Sequence, residues 1–172
     1  MAKEKILFVL TGGTIDSYYE GTKDTAVTNE HSAIPRFIKS LKLYEEFDFI
    51  EVCMKDSRDL IASDLKQILK TVDQSALKKV VITQGTYTLG DTARYLEANL
   101  KKKNKTIVLT ASMIPLVGFS PSDAPFCLGF AIAKLHDLKE GVYVCMNGKV
   151  FSPVEVVKTL SEGRFSSIFN NE

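Results

Sequence analysis

The sequence has no surplus of charge of either sign. Its 172 residues include 22 lysines and arginines and 21 aspartates and glutamates, which gives a formal net charge of +1. Domains that bind nucleic acids normally carry a basic surface, so this balance argues against that class of protein. The basic run formed by Lys101, Lys102, Lys103 and Lys105 follows a helical pattern. Cations at a helix carboxyl end complement the helix dipole, which explains the run without a polyanion site.

Cysteine is scarce, and long apolar runs are missing. Cys53, Cys127 and Cys145 are odd in number and show no Cys-x-x-Cys spacing, which favours buried reduced thiols over disulfides or a metal site. A membrane helix needs about 18 consecutive apolar residues, and no run approaches that length. The first strand begins soon after Met1 without the apolar segment of a signal peptide, so we expect a cytoplasmic protein with no membrane partner.

Proline and glycine are also few, at 5 and 10 residues. With 45% hydrophobic and 25% charged residues, the composition is that of a folded globular chain rather than a disordered or fibrous one. The length suits one domain of ordinary size, and no repeat, linker or low-complexity segment divides it. We therefore expect residues 1–172 to form a single domain.

Short apolar runs alternate with helical patterns along the chain. The predicted strands cover residues 5–10, 48–54, 79–83, 106–110 and 141–146, the last of which closes the series. The predicted helices cover residues 30–41, a segment capped by Ser63, residues 88–100 capped by Thr88, and a largely buried segment at 122–138 that includes Phe126. Residues 16–28 are predicted to be a polar loop, and Lys158 lies in a stretch with a helical pattern.

This alternation predicts a parallel sheet with right-handed crossovers, a three-layer α/β/α domain of Rossmann or flavodoxin type. Ligands bind such sheets at the carboxyl ends of the strands, near the point where strand order reverses. Threonine, serine and glycine are enriched just beyond the predicted strands, at residues 11–14, 56–59, 83–88, 110–113 and 147–148. Small hydroxyls and backbone donors suit a polar small molecule and acyl transfer.

The motif T-G-G-T-I, at residues 11–15, has two glycines that allow a sharp turn and could present backbone N–H groups as an oxyanion hole. Thr14 then directs its hydroxyl into the crevice. An ordinary strand-to-loop turn and a phosphate loop are the alternatives. The dinucleotide fingerprint G-x-G-x-x-G is not present here, and a nucleotide-binding module of flavodoxin type has support only from the fold.

The motif Q-G-T-Y-T, at residues 84–88, is explained most simply by a turn at Gly85 and a helix cap at Thr88. That interpretation leaves Thr86 without a role. A lone lysine such as Lys158, in V-V-K-T, is usually exposed to solvent. A threonine hydroxyl is a poor nucleophile near neutral pH, however, and a neighbouring amine could activate it.

Six motifs together resemble the bacterial asparaginases in order and spacing. They are T-G-G-T-I, D-S-R at 56–58, Q-G-T-Y-T, A-S-M-I-P at 111–115, P-S-D-A-P at 121–125 and V-V-K-T at 156–159. The chain resembles the N-terminal domain of that family almost from end to end. The family's second domain, which supplies residues to a neighbouring subunit's site, has no counterpart in the sequence, and self-association as a homodimer is a further possibility.

The resemblance implies a role for each matching residue. Thr14 would be the nucleophile that attacks a side-chain amide, and Thr86 with Lys158 would form a second relay that polarises the hydroxyl and water. Ser57 would hold the substrate's α-carboxylate. Backbone groups of Thr86 and Ala111 would face the reacting amide, with Gly85 and Tyr87 beside them. Family enzymes use no metal or cofactor.

The sequence departs from the family pattern H-G-T-D-T, since Gln84 and Tyr87 replace the histidine and the aspartate. A phenol is neutral at pH 7 and cannot pair with a substrate's ammonium as that aspartate does. Arg58 offers a bidentate fork for a carboxylate, which predicts amides of dicarboxylic acids that lack the α-amine.

Two further positions depart from the family. Ala111 stands where it has glycine. No aromatic lies near Ala26, where it has a tyrosine, although Tyr18 and Tyr19 could substitute. The sequence therefore predicts an amidohydrolase acting on a small carboxylate-bearing amide. The alternative is a relative that binds a small ligand or a protein partner without turnover.

Overall fold

The computed structural model describes residues 4–169. Its strands are β1 (Lys5–Gly12), β2 (Ser17–Glu20), β3 (Thr25–Thr28), β4 (Glu46–Lys55), β5 (Lys79–Thr83), β6 (Thr106–Thr110), β7 (Gly141–Met146), β8 (Lys149–Phe151), β9 (Val156–Thr159) and β10 (Arg164–Ser167). Its α-helices are α1 (Ile34–Ser40), α2 (Ala62–Gln74), α3 (Leu89–Asn99) and α4 (Ala124–Asp137).

The main sheet has the strand order β4-β1-β5-β6-β7-β8. The first five of these strands are parallel to their neighbours, and β8 pairs antiparallel with β7 at the edge. Numbered along the chain, the parallel strands follow the order 2-1-3-4-5 of flavodoxin-like folds, which reverses between β1 and β5. The predicted α/β class and parallel sheet are confirmed, and the crevice at the switch point lies between two threonine-bearing motifs.

Both faces of β1 are buried, as its continuous apolar run predicts. Ile6 and Phe8 pack into a cluster with α1 and α4, whereas Leu7 and Val9 pack into the opposite cluster with α2 and α3. Successive side chains of a strand point to opposite faces, so one strand supplies both cores. Helices therefore cover the sheet on both sides, which makes three layers.

Two helix starts differ from their predicted caps. Ser63 lies inside the first turn of α2, and the Asp64 carboxylate instead accepts a 2.9 Å bond from the backbone N–H of Ile61. Thr88 does precede α3, but its hydroxyl donates to the Ser57 carbonyl at 3.0 Å rather than capping the helix. The predicted cap at Ser63 is thus replaced by Asp64, and the Thr88 hydroxyl is used in a tertiary contact instead of a cap.

Helix α4 is less buried than its composition predicts. Phe126 is 58% exposed and stacks on Phe130 at the outer surface, with 5.9 Å between ring centroids. The residues that face the sheet are smaller or aliphatic, among them Ala124, Leu128 and Leu135. The number of apolar residues overestimates the burial of α4, because one face of the helix points outward even where apolar residues such as Phe126 occupy it.

Residues 16–28 do not form the predicted loop, because β2 and β3 pair there as an antiparallel hairpin. The register sets Tyr18 opposite Val27 and Tyr19 opposite Ala26. Each tyrosine hydroxyl bonds a carboxylate close in sequence, Glu20 for Tyr18 and Asp24 for Tyr19. The two strands are short and largely exposed, and their polar and aromatic residues lack the alternation of apolar and polar residues that predicts a strand.

The strand series also continues past Met146, since β8, β9 and β10 follow it. Lys158 lies on β9, which pairs antiparallel with β10 and sets Lys158 opposite Phe165, so the helical prediction for this stretch was wrong. β9 is only four residues long, which is too short to distinguish helical from extended periodicity.

The three thiols are free, as predicted, with Cys127 and Cys145 buried and Cys53 half-buried. Burial raises the pKa of Cys53 to about 11 and those of Cys127 and Cys145 to about 12. In residues 4–169 no helix combines the length and hydropathy that a membrane crossing requires.

Candidate functional site

The loops that follow β1, β4 and β5 are packed against each other with almost no space between their backbones. A Cβ added to Gly13 would lie 2.1 Å from the backbone nitrogen of Gly85, and one added to Gly85 would lie 2.7 Å from Oγ of Ser57. The φ angle of Gly13 is also +81°, in the region that favours glycine. Three motifs that are distant in sequence, T-G-G-T-I, D-S-R and Q-G-T-Y-T, thus meet at one edge of the sheet.

Thr14 begins a short 3-10 turn directly after this contact and is half-buried. It is therefore not enclosed by packed side chains. The backbone N–H of Gly13 donates to the Lys55 carbonyl at 2.8 Å. Of the two glycines expected to offer oxyanion donors, Gly13 therefore has its N–H already engaged.

Asp16 anchors the turn that carries Thr14. Its carboxylate is buried and accepts bonds from the Ser32 hydroxyl and from the backbone N–H of Ala33 at 2.8 Å. Burial raises the pKa of this carboxyl, and the hydrogen bonds from Ser32 and Ala33 act in the opposite direction. The turn is thereby tied to the segment just before α1.

Lys158 and Thr86 are joined by a hydrogen bond, in which the lysine Nζ donates to the threonine Oγ1 at 2.7 Å. Thr86 is buried, and Lys158 approaches it from β9. Burial, and next the positive charge of Arg58, lower the pKa of the Lys158 amine, while Asp56 acts in the opposite direction. A lysine with a lowered pKa is more readily neutral, the form that can accept a proton.

Ser57 is the centre of a buried polar network. It is 2% exposed, its hydroxyl oxygen accepts from the backbone N–H of Tyr87 at 3.2 Å, and its carbonyl accepts from Thr88. The Gln84 side-chain amide donates to the Thr88 hydroxyl at 3.0 Å, whereas its Oε1 is buried without a partner among the described residues. This network fixes the Q-G-T-Y-T loop against D-S-R.

Arg58 forms a bidentate pair with Asp56. Its Nε lies 3.0 Å from Oδ1 of Asp56, and one terminal nitrogen lies 3.2 Å from Oδ2. The guanidinium carbon is 6.0 Å from the ring centroid of Tyr87, which is 62% exposed. The fork that the sequence assigned to a substrate carboxylate is therefore filled by a neighbouring side chain.

Ala111 follows β6, and its side chain is fully buried in the core cluster on the α2 and α3 face. The carbonyl of the preceding residue, Thr110, accepts from the backbone N–H of Gln84 at 3.2 Å. The Asp123 carboxylate holds the next residues by accepting from the backbone N–H groups of Met113 and Ile114, each at 2.9 Å. The A-S-M-I-P loop thus lies beside Q-G-T-Y-T.

A pocket of about 270 Å³ opens beside the Thr86–Lys158 pair. It lies toward α3 and does not include Thr14. Its lining consists of Thr86, Tyr87, Gly90, Asp91, Arg94, Val156, Val157, Lys158, Leu160 and Phe165. Two of the three residues predicted to be catalytic therefore face a cavity of small-ligand size.

Two residues that sequence reasoning missed hold the segment that carries Lys158. Arg94 on α3 donates to the carbonyl of Pro153 at 2.8 Å and pairs with Asp91 at 2.8 Å. Glu155 accepts from the backbone N–H and hydroxyl of Ser152 and from the Ser167 hydroxyl. The spacing of Asp91 and Arg94 signals a helix pair, but nothing in it indicates a contact with a loop 59 residues away.

Across residues 4–169, no group of three or more histidine, cysteine, aspartate or glutamate side chains is arranged to hold a metal ion. The site described above offers hydroxyls, the Lys158 amine, the guanidiniums of Arg58 and Arg94, each paired with an aspartate, and backbone groups. These are the groups of acyl transfer by a hydroxyl nucleophile.

Residues 5–169 match the family model described as asparaginase, N-terminal. Similar curated proteins include the glutaminase-asparaginase of Acinetobacter glutaminasificans, 28% identical over 171 residues, which covers 92% of this chain and 51% of that protein. L-asparaginase 2 of Escherichia coli K12 is 29% identical over 170 residues, which covers 92% of this chain and 47% of that protein.

Solved structures give the same result. The probable cytoplasmic L-asparaginase of Campylobacter jejuni superimposes with a TM-score of 0.81 at 30% identity, covering 96% of this chain and 53% of the other. The thermostable L-asparaginase of Thermococcus kodakarensis gives a TM-score of 0.80 at 27% identity, covering 95% and 51%. The chain spans about half the length of the relatives it matches.

Proposed function

The chain belongs to the asparaginase family, and on that premise we propose that it is an amidohydrolase with a threonine nucleophile that acts on a small carboxylate-bearing amide. The observation that carries this proposal is the 2.7 Å hydrogen bond from Lys158 to Thr86, on a loop packed against the one that bears Thr14. An amine with a lowered pKa beside two threonine motifs supports activation of a hydroxyl.

In this proposal Thr14 Oγ attacks the amide carbon, and the C–N bond breaks as ammonia leaves with a proton. The acyl group stays on Thr14 as an ester. Water then attacks that ester, and the product acid leaves with the hydroxyl of Thr14 restored. Thr86 and Lys158 accept and return the protons, because a lysine that is neutral part of the time can serve as a base.

The remaining residues of the proposed site position the substrate. Ser57, Gly85 and Tyr87 lie on the two loops beside Thr86, and Arg58 extends from one of them. Ala111 contributes through its backbone, since its side chain packs in the core. We propose that these residues act within one domain of the N-terminal type over residues 1–172, without a cofactor.

The test is ammonia release from a panel of small amides that includes L-asparagine, with wild type compared with Thr14→Ala. We expect release by wild type only, and an acyl ester on Thr14 when the reaction is quenched with acid and analysed by mass spectrometry. Activity that survives in Thr14→Ala would refute the proposed nucleophile.

One observation favours a second candidate, a protein that binds a small ligand without turnover. Among the described residues no carboxylate forms an ion pair with Lys158, and neutral Tyr87 follows Thr86. A lysine amine whose position no carboxylate fixes is less well oriented for proton transfer. For this candidate a ligand would raise the melting temperature with no product formed, whereas a covalent adduct on Thr14 would exclude it.

A further inference from the structure

Asn147 and Gly148 lie just beyond β7, and the proposed function gives neither of them a role. They form the turn that joins β7 to β8, with φ angles of +53° for Asn147 and +73° for Gly148. The sequence Asn-Gly favours a two-residue hairpin turn in which both residues have a positive φ. The turn therefore accounts for the backbone of Asn147 and leaves the use of its side chain open.

The side chain of Asn147 bonds a strand that is not part of the main sheet. Its Oδ1 accepts from the backbone N–H of Phe165, on β10, at 2.9 Å. The strands β9 and β10 form a separate two-stranded sheet, and within residues 4–169 this is the one hydrogen bond that joins β10 to a turn of the main sheet. Phe165 is buried, so loss of the Asn147 oxygen would leave its N–H without a partner in a place that water does not easily reach.

Phe165 lies directly opposite Lys158 in the register of β9 and β10. The N–H of Phe165 points away from β9, toward Asn147, so the two residues form a non-hydrogen-bonded pair, the kind in which opposite side chains lie closest. Both residues line the pocket beside Thr86. A shift of β10 at Phe165 would therefore move the Lys158 amine relative to Oγ1 of Thr86.

We infer that Asn147 is a positioning residue, which holds β10 to the main sheet and thereby places Lys158 for proton transfer at Thr86. This inference rests on the proposed function, in which Lys158 and Thr86 accept and return protons. Asn147 does not line the pocket and acts only through the pairing of β9 with β10. Proton transfer requires groups within hydrogen-bond reach, and a displacement of about 1 Å can cost on the order of 10²-fold in rate.

Two substitutions that suit a positive φ test this role. Asn147→Gly removes the side-chain acceptor, whereas Asn147→Asp keeps an oxygen at the same place, and both residues adopt a positive φ more readily than most. We expect Asn147→Gly to lower kcat for ammonia release at least about tenfold, with KM changed by less than about threefold, and Asn147→Asp to keep most of the wild-type kcat. Asn104→Gly, at an exposed loop position, is the matched control.

Several results would overturn the inference. A wild-type kcat in Asn147→Gly, an equal loss of kcat in Asn147→Asp, or an effect on KM alone would each show that the acceptor does not place a proton-transfer group. Each rate is measured per folded protein and well below the melting temperature of the variant, so that a loss of stability does not count as a loss of kcat.

Two further measurements do not depend on turnover. Amide hydrogen exchange at Phe165 should be faster in Asn147→Gly and close to wild type in Asn147→Asp. NMR titration should show the pKa of Lys158 rising toward its ordinary value of 10.5 in Asn147→Gly, because a displaced amine is less buried. Faster exchange at Phe165 with an unchanged Lys158 pKa would also overturn the inference, since β10 would then move without the lysine.

These measurements separate failure of the inference from failure of the proposed function. If exchange and the Lys158 pKa both change as expected but wild type releases no ammonia from any amide, Asn147 holds Lys158 in place and the hydrolase proposal fails. If wild type releases ammonia and neither quantity changes in Asn147→Gly, the hydrolase proposal is kept and the inference fails.

Discussion

Nζ of Lys158 lies 2.7 Å from Oγ1 of Thr86, although 72 residues separate the two in the chain. The threonine follows the central strand β5, and the lysine lies on β9, outside the main sheet. Their contact joins the C-terminal hairpin to the switch point of the fold. Its consequences can be tested separately for chemistry and for stability.

Lys158→Met should lower ammonia release by roughly 10²- to 10⁴-fold, the usual loss when a proton-transfer group is removed. Stability should change little, because a lost hydrogen bond and the relieved burial of an amine oppose each other. Burial lowers the pKa of Lys158 below 10.5, so the contribution of this group to the wild-type free energy of unfolding increases as pH rises through its folded pKa. The free energy of unfolding of the variant should show no such increase. Lys66→Met, at an exposed position on α2, is the matched control, and an equal loss of activity there would contradict the role of Lys158.

Gly85→Ala should destabilise the protein by about 1–3 kcal/mol, because the new methyl would lie 2.7 Å from Oγ of Ser57. Gly13→Ala should cost more, since its methyl would meet the Gly85 backbone at 2.1 Å and its φ is +81°. Gly129→Ala on α4 is the control. It has open space, and replacing a mid-helix glycine should stabilise by about 0.5–1 kcal/mol. Urea denaturation measures all three, and a Gly13→Ala variant as stable as Gly129→Ala would refute the close packing of the two loops.

Asp16→Asn should change the pH dependence of stability in a defined direction. Burial raises the pKa of the Asp16 carboxyl above 3.8, so the folded state holds its proton at a pH where the unfolded state has lost it. The wild-type free energy of unfolding, measured relative to that of Asp16→Asn, should therefore fall as pH rises from 3.8 through the folded pKa. Denaturation of both proteins at a series of pH values gives this difference, and a difference that grows with pH would contradict the assigned shift.

Arg94→Ala should destabilise the segment before β9 by about 1–3 kcal/mol, because the Pro153 carbonyl loses a charged donor at 2.8 Å. Since Pro153 lies three residues before Val156, where β9 begins, the variant should also weaken catalysis by shifting the segment that carries Lys158. Hydrogen exchange at residues 152–158, compared with the exposed-site control Arg36→Ala, measures the local effect. Unchanged exchange there would rule out this anchoring role.

The layered fold could be predicted from the sequence because its strands have strong local signals. The run from Lys5 to Leu10 is apolar throughout, and the structure buries both its faces. The hairpin at Ser17–Thr28 and the strand that carries Lys158 could not be predicted, since short, partly exposed strands have no clear alternation. Local hydrophobic patterns therefore predict the core strands but not the short strands at the surface.

The candidate site divides in the same way. The motif positions just beyond β1, β4 and β5 could be expected to meet, because carboxyl ends of parallel strands share one edge. The ion pair between Arg58 and Asp56 could not be predicted in this way. A guanidinium that can bind a substrate carboxylate can equally bind the carboxylate of a residue two positions away. Arg94 donates to the carbonyl of Pro153, 59 residues away, and no sequence spacing encodes such a contact. Glu155 accepts from Ser152 and Ser167 in its own part of the chain, but nothing in the sequence distinguishes these bonds from those of any exposed glutamate.

The pairing of Tyr19 with Ala26 across the β2–β3 ribbon bears on the missing aromatic near position 26. Residues directly opposite each other in an antiparallel pair project to the same side, with their Cβ atoms about 5 Å apart. An aromatic side chain at position 19 and one at position 26 can therefore occupy overlapping space. Tyr19 thus lies on the side of the ribbon that an aromatic residue at position 26 would occupy.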